Sequence, residues 1–149
     1  MQGRDKIMDN CIGIDISKNS FDVHFLADKS DYHLDYTDKS IRDIVKRFVS
    51  AKPELIVMEA TGGYETPLAA ELFAAGLPVS VVNPKRIRDF AKAVGQTAKT
   101  DKIDARIIAR FGAMLQPPPS DAPDENVIKI RALTARKRQL IKMRTAEKN

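Results

Sequence analysis

Four carboxylates in three separate stretches carry the chemistry open to this sequence. Asp15 lies near the end of the apolar run at 11–16, Glu59 closes the run Leu55-Ile56-Val57-Met58-Glu59, and Asp101 and Asp104 stand three residues apart before a third apolar pattern. Oxygen donors with no histidine or thiolate among them favour a hard divalent ion, Mg2+ or Mn2+. Such a site, holding one ion or a pair ~3.5–4 Å apart, is suited to phosphoryl transfer of the nuclease type. Burying an unpaired carboxylate is costly, so a strand-end acid is normally paired, protonated or cation-bound. The competing reading is that Asp15 and Glu59 only cap a turn or a following helix, and that Asp101 only complements a helix dipole.

The elements that must position these groups follow from hydrophobic period. Residues 11–16 and 55–59 read as buried strands, the second continuous enough for a parallel, doubly covered sheet. Phe21, Val23 and Phe25 alternate with polar neighbours, as do Tyr32, Leu34 and Tyr36. The turns at Lys18-Asn19 and Asp28-Lys29-Ser30 make the first three strands an antiparallel meander. Asp38 or Ser40 caps a helix carrying Ile41, Ile44, Val45 and Phe48, which ends before Pro53. Thr66-Pro67 opens another through Leu68, Leu72 and Phe73 to Gly76, and residues 77–82 form a further strand. Asp101, Asp104, Ile108, Phe111 and Leu115 are spaced 3, 4, 3 and 4, which predicts a helix from about 101 to 115 with all five on the face toward the sheet. Residues 93–100 read as the loop entering it.

The sequence divides into a domain over 1–116, a Pro-rich linker over 117–123 and a basic helix over 124–149, the start of a truncated region. At 149 residues and 43% hydrophobic content the chain fits one globular domain with an ample core. No run reaches the ~20 apolar residues of a bilayer span and no signal peptide opens it, so a cytoplasmic location without a membrane partner is expected. The lone Cys11 sits inside a strand and reads as core. Residues 1–123 hold seventeen basic and seventeen acidic side chains, so the net charge of +5 resides in 124–149, with Arg136, Lys137 and Arg138 as its densest cluster. Eight basic side chains against three acidic over 85–110 suit a polyanion around the metal site, although a solvated helix face is the alternative. Lys18, Lys99 and Lys102 are candidate phosphate contacts, Lys99 above all because it adjoins the acidic pair. Thr61-Gly62-Gly63 reads as a turn rather than a phosphate cradle. His24 and His33 alternate onto strand faces without metal-ligand spacing and read as structural.

The segments Gly13-Ile14-Asp15-Ile16-Ser17-Lys18, Met58-Glu59-Ala60-Thr61-Gly62-Gly63-Tyr64, Val82-Asn83-Pro84 and Ala98-Lys99-Thr100-Asp101-Lys102-Ile103-Asp104-Ala105 resemble the N-terminal domain of the DEDD insertion-sequence transposases. That family includes the Piv-type DNA invertases and the RNA-guided bridge recombinases. The resemblance spans residues 11–115. It implies an α/β, ribonuclease H-like (RuvC-like) fold with a mixed five-stranded sheet, and it places the family's four acidic residues on Asp15, Glu59, Asp101 and Asp104. It further implies DNA as substrate, a homo-oligomer (a dimer or tetramer of the full-length protein) and, in the bridge recombinases, a structured guide RNA. Family members continue into a C-terminal domain whose serine is believed to be the nucleophile, so this chain alone is expected to be inactive. Ser17 and Ser20 suit a turn and are not assigned that role.

Two other function classes stay in view. An actin-like or sugar-kinase-like ATPase shares the fold core but needs a second lobe and glycine-rich phosphate loops. A noncatalytic nucleic-acid-binding or oligomerisation module would bind without Mg2+ and tolerate loss of Asp104.

Overall fold

The computed structural model describes residues 6–95 and 103–121. Its centre is strand β1 (Cys11–Ile16), flanked on one side by the antiparallel strands β2 (Ser20–Phe25) and β3 (Ser30–Asp35). On the other side lie the parallel strands β4 (Leu55–Glu59) and β5 (Val79–Val82), giving the order β3-β2-β1-β4-β5. A hairpin meander followed by parallel strands, with the first strand central, is the ribonuclease H-like arrangement.

Because side chains alternate along a strand, β1 divides its residues between two cores. Ile12, Ile14 and Ile16 join Phe21, Val23, Ile56 and Met58 beneath helices α1 (Asp38–Ala51) and α2 (Thr66–Ala74). Cys11, together with Leu55, Val57 and Val82, faces α3 (Pro84–Ala93) and α4 (Ala105–Leu115). The edge-on ring pair Phe90–Phe111, with centroids 5.7 Å apart, locks those two helices together. Gly13 lets α4 lie on β1 with no side chain between them, since a Cβ there would stand 2.2 Å from the Ala105 carbonyl oxygen and 2.4 Å from the Ala109 nitrogen. Gly112, farther along α4, sits over Cys11 and Val57. The helix therefore runs antiparallel to β1, with its N-terminus at the C-terminal end of that strand.

Several local expectations change. The N-cap of α1 is Thr37, not Asp38 or Ser40: its side chain accepts from the Ser40 amide at 3.1 Å, and Asp38 is already the first helical residue. Helix α3 was not anticipated, although Asn83 caps it by accepting from the Lys85 amide, Pro84 opens it, and Ile87, Phe90 and Ala91 are its buried stripe. Helix α4 starts at Ala105 rather than near 101, with Asp104 as its N-cap. Leu115 is 52% exposed and not on the buried face, because Gly112 already lies over Cys11, the first residue of β1, and the last turn of α4 runs beyond it; Ile107, Ile108 and Phe111 are its buried large residues.

The proline-rich stretch is docked where it is described. Pro117 is buried, the Ser120 amide donates to the Val79 carbonyl at 2.8 Å, and the Val81 amide donates to Ser120 Oγ at 2.9 Å. These bonds satisfy backbone groups that the edge strand β5 would otherwise expose. The helix expected over 124–149 lies outside the described residues.

Candidate metal centre

Asp15 and Glu59 come together through strand register. β1 and β4 pair in parallel up to Ile14 opposite Met58, so Asp15 and Glu59 occupy the next rung on strands ~4.8 Å apart. Parity aims both at the face covered by α4, because Gly13 and Val57, two residues earlier on each strand, contact that helix. Both are partly buried. Apolar runs hold them there: Ile12, Ile14, Ile56 and Met58 are fully buried on the opposite face, each contributing ~1.5–3 kcal/mol of transfer free energy, so neither strand can rotate its acid to solvent.

Asp104 is delivered to the same end of the sheet by the direction of α4. Its backbone is extended, with φ −117° and ψ 174°, and its Oδ1 accepts from the Ile107 amide at 2.9 Å. It is exposed, and not on the helix stripe that the spacing predicted, because the chain leaves helical geometry at that residue. Asp101 lies outside the described residues, as do Lys99, Lys102, Arg136, Lys137 and Arg138. Among the described residues, no three His, Cys, Asp or Glu side chains are grouped so as to hold a metal ion. Two half-buried carboxylates on one rung fit a hard cation in donor type; Asp104 stands at the N-terminus of α4 and is not grouped with them.

The loop after Glu59 is tied down. Glu65 accepts from the Thr61 amide at 3.1 Å and from the Gly63 amide at 3.1 Å and 3.2 Å, so its own carboxylate fills the position an anion would take on those amides. The Tyr36 hydroxyl donates to the Tyr64 carbonyl at 2.5 Å and accepts from the Leu68 amide at 3.2 Å, stitching the loop to the end of β3. Burial pushes the Tyr36 hydroxyl up to about 12, with the nearby Glu65 charge adding to the effect. Thr61 Oγ1 is buried and has no hydrogen-bond partner among the described residues. Lys18 is exposed in the turn that follows Asp15, where Ser17 Oγ donates to the Ser20 carbonyl at 3.0 Å.

Beside Asp104 lies a cleft of about 340 Å³, lined by Asp22, Asp31, Tyr32, His33, Asp104 and Arg106 among others. Two histidine–aspartate pairs stand at this end of the sheet. His33 Nδ1 is 2.6 Å from Asp22 Oδ1, and the buried His24 Nδ1 is 2.7 Å from Asp31 Oδ1. Arg106 on α4 approaches Asp31 at 3.7 Å. Reading the histidines only for metal spacing missed these pairs. The signal was available in the strand alternation that puts Phe21, Val23 and Phe25 on one face and therefore Asp22 and His24 on the other.

The DEDD transposase family, described as transposase, matches residues 12–149. The pilin gene-inverting protein of Moraxella bovis is 37% identical over 146 residues, and that of Moraxella lacunata 36%; each alignment covers 91% of this chain and 45% of the relative. The chain thus spans about half the length of the curated relatives it matches. Among solved structures, T. thermophilus RuvC in complex with Holliday junction substrate aligns at a TM-score of 0.43 with 11% identity, covering 82% of this chain and 87% of that one. No helix among the described residues is long and apolar enough to cross a membrane.

Proposed function

Because the chain belongs to the DEDD transposase family, we propose that it is the metal-binding catalytic domain of a DNA transposase or site-specific recombinase that cuts and exchanges DNA strands. The observation that carries this reading is the shared rung of Asp15 and Glu59, half-buried at the strand ends beneath the N-terminus of α4. Asp15, Glu59, Asp101 and Asp104 would hold Mg2+ or Mn2+, one ion or two. When bound, the ion supplies charge neutralisation for the phosphate under attack. The chain's own residues do the positioning. β1 and β4 fix two carboxylates on a rigid sheet, the Asp104 cap bond holds the third against α4, and the Glu65 and Tyr36 bonds tie down the loop after Glu59.

DNA is the substrate in this reading. Lys18, Lys99, Lys102 and the Arg136, Lys137 and Arg138 cluster contact its backbone, and the attacking serine comes from the remainder of a protein about the length of the inverting relatives. A homo-oligomer and a structured guide RNA belong to the same reading; light scattering of the full-length protein and nucleic acid co-purifying with it test them. The first experiment is an anomalous difference map from crystals soaked in Mn2+, alongside Asp15→Asn. Peaks at the four carboxylates that vanish in the variant support the metal centre. Nucleic-acid binding that is indifferent to Mn2+ and to both Asp15→Asn and Asp104→Ala refutes it in favour of a noncatalytic binding module.

A further inference from the structure

The cleft next to Asp104 contains a group with the arrangement of a proton acceptor. Asp15 pairs across the sheet with Asp22, and Asp22 pairs with His33, so the three stand in one row on the face that α4 covers. Phe21, Val23, Tyr32 and Leu34, which alternate with Asp22 and His33, pack into the opposite core and fix that orientation. A carboxylate can only accept, so the 2.6 Å contact requires His33 Nδ1 to carry the hydrogen and donate it to Asp22 Oδ1. The lone pair of the neutral ring is then on Nε2, and His33 lines the cleft that also holds Asp104. An aspartate that fixes the histidine tautomer and stabilises the imidazolium once formed is the working part of an acid–base dyad. An exposed side-chain hydrogen bond by itself adds little to stability, which leaves the pair without a structural role of weight.

We infer that His33, oriented by Asp22, is the general base of the phosphoryl transfer. The inference rests on the metal-dependent DNA reading above. In the step, Nε2 takes the proton of the attacking hydroxyl as its oxygen forms the new bond to phosphorus. The phosphorus bond to the leaving oxygen breaks, the electron pair stays on that oxygen, and the oxygen takes a proton from water. His33 is then an imidazolium paired to Asp22 and returns its proton to solvent. The charged groups around it are Asp22 from β2, Asp31 from β3, and Asp104 and Arg106 from the start of α4.

The test is single-turnover nicking, by the full-length protein with Mn2+, of a supercoiled plasmid carrying the DNA that flanks the gene. Wild type is compared with His33→Ala, His33→Asn, Asp22→Asn and Asp15→Asn over a range of pH. His33→Ala is expected to lose ~100-fold or more near neutral pH, as removal of a general base does, and to change the shape of the pH–rate profile. Added imidazole restores part of the rate. Asp22→Asn loses less, and Mn2+ affinity and melting temperature stay at wild-type values in both. His33→Asn, which can still donate to Asp22, is as slow as His33→Ala. An unchanged rate or pH profile in His33→Ala, with Asp15→Asn inactive, overturns the inference and leaves the metal centre standing. A rate loss that follows Mn2+ affinity or melting temperature while the pH profile keeps its shape also overturns it. No nicking by wild type, or full activity in Asp15→Asn, refutes the metal-dependent reading and this inference with it.

Discussion

Replacing Gly13 with alanine tests how closely α4 must lie on β1. The added Cβ would lie 2.2 Å from the Ala105 carbonyl oxygen, 2.4 Å from the Ala109 nitrogen and 2.9 Å from the Ala109 Cα. All three are backbone atoms, so no side-chain rotation relieves the clash, and the first turns of α4 must recede by roughly 1 Å to regain ordinary contact. Overpacking typically costs ~1–3 kcal/mol, and a rigid backbone obstacle puts this variant at the upper end, about 3 kcal/mol. Domains of this kind are stable by only ~5–15 kcal/mol, so the loss is large. Gly112→Ala is the control. There the Cβ meets side-chain rather than backbone atoms, Val57 Cγ2 at 2.5 Å and Cys11 Sγ at 2.7 Å, and alanine's higher helix propensity offsets up to ~1 kcal/mol. Urea unfolding followed by circular dichroism measures both. Gly13→Ala within ~0.5 kcal/mol of wild type, or Gly112→Ala the more damaging of the two, would refute the reasoning.

Asp104→Ala removes the cap on the Ile107 amide and is expected to destabilise by ~0.5–2 kcal/mol, whereas Asp104→Asn keeps the cap and loses only the charge; thermal melts measure the cap, and Mn2+ titration tests the proposed ligand role. Tyr36→Phe strips the partner from the Tyr64 carbonyl and the Leu68 amide and is expected to cost ~1–3 kcal/mol, measured by denaturation. The Tyr36 hydroxyl ionises at about 12 in the fold against an ordinary value of 10.0, so its contribution is complete below pH 10 and is lost as pH rises through 12. Alkaline melts of wild type should show that decline, and Tyr36→Phe should lack it. The Cys11 thiol, pushed up to about 12 by burial, is expected to resist a disulfide reagent in the folded protein and react at once in denaturant.

Strand alternation and helix period were legible because they are local. They gave the meander, the buried runs at 11–16 and 55–59, and the order of strands and helices through β5, and the ordered motifs around the four acidic residues pointed to the family. Asn83-Pro84 followed by Ile87, Phe90 and Ala91 was an equally local signal for α3 that went unread. The stripe drawn from Asp101 to Leu115 failed at both described ends for one reason: periodicity assumes a helix throughout and a sheet long enough to cover it. The chain turns extended at Asp104 to make a cap, and the sheet stops short of Leu115.

Sequence by itself determined which residues can be buried in strands and therefore which acids sit at strand ends, since that follows from a period of two and the cost of exposing apolar runs. Tertiary structure alone decided the meeting of distant segments. Register set Asp15 level with Glu59, the bare backbone of Gly13 brought the N-terminus of α4 down beside them, and β3 lying next to β2 placed His33 against Asp22. Those juxtapositions depend on packing between segments 11 to 92 residues apart in the chain, which no local pattern encodes.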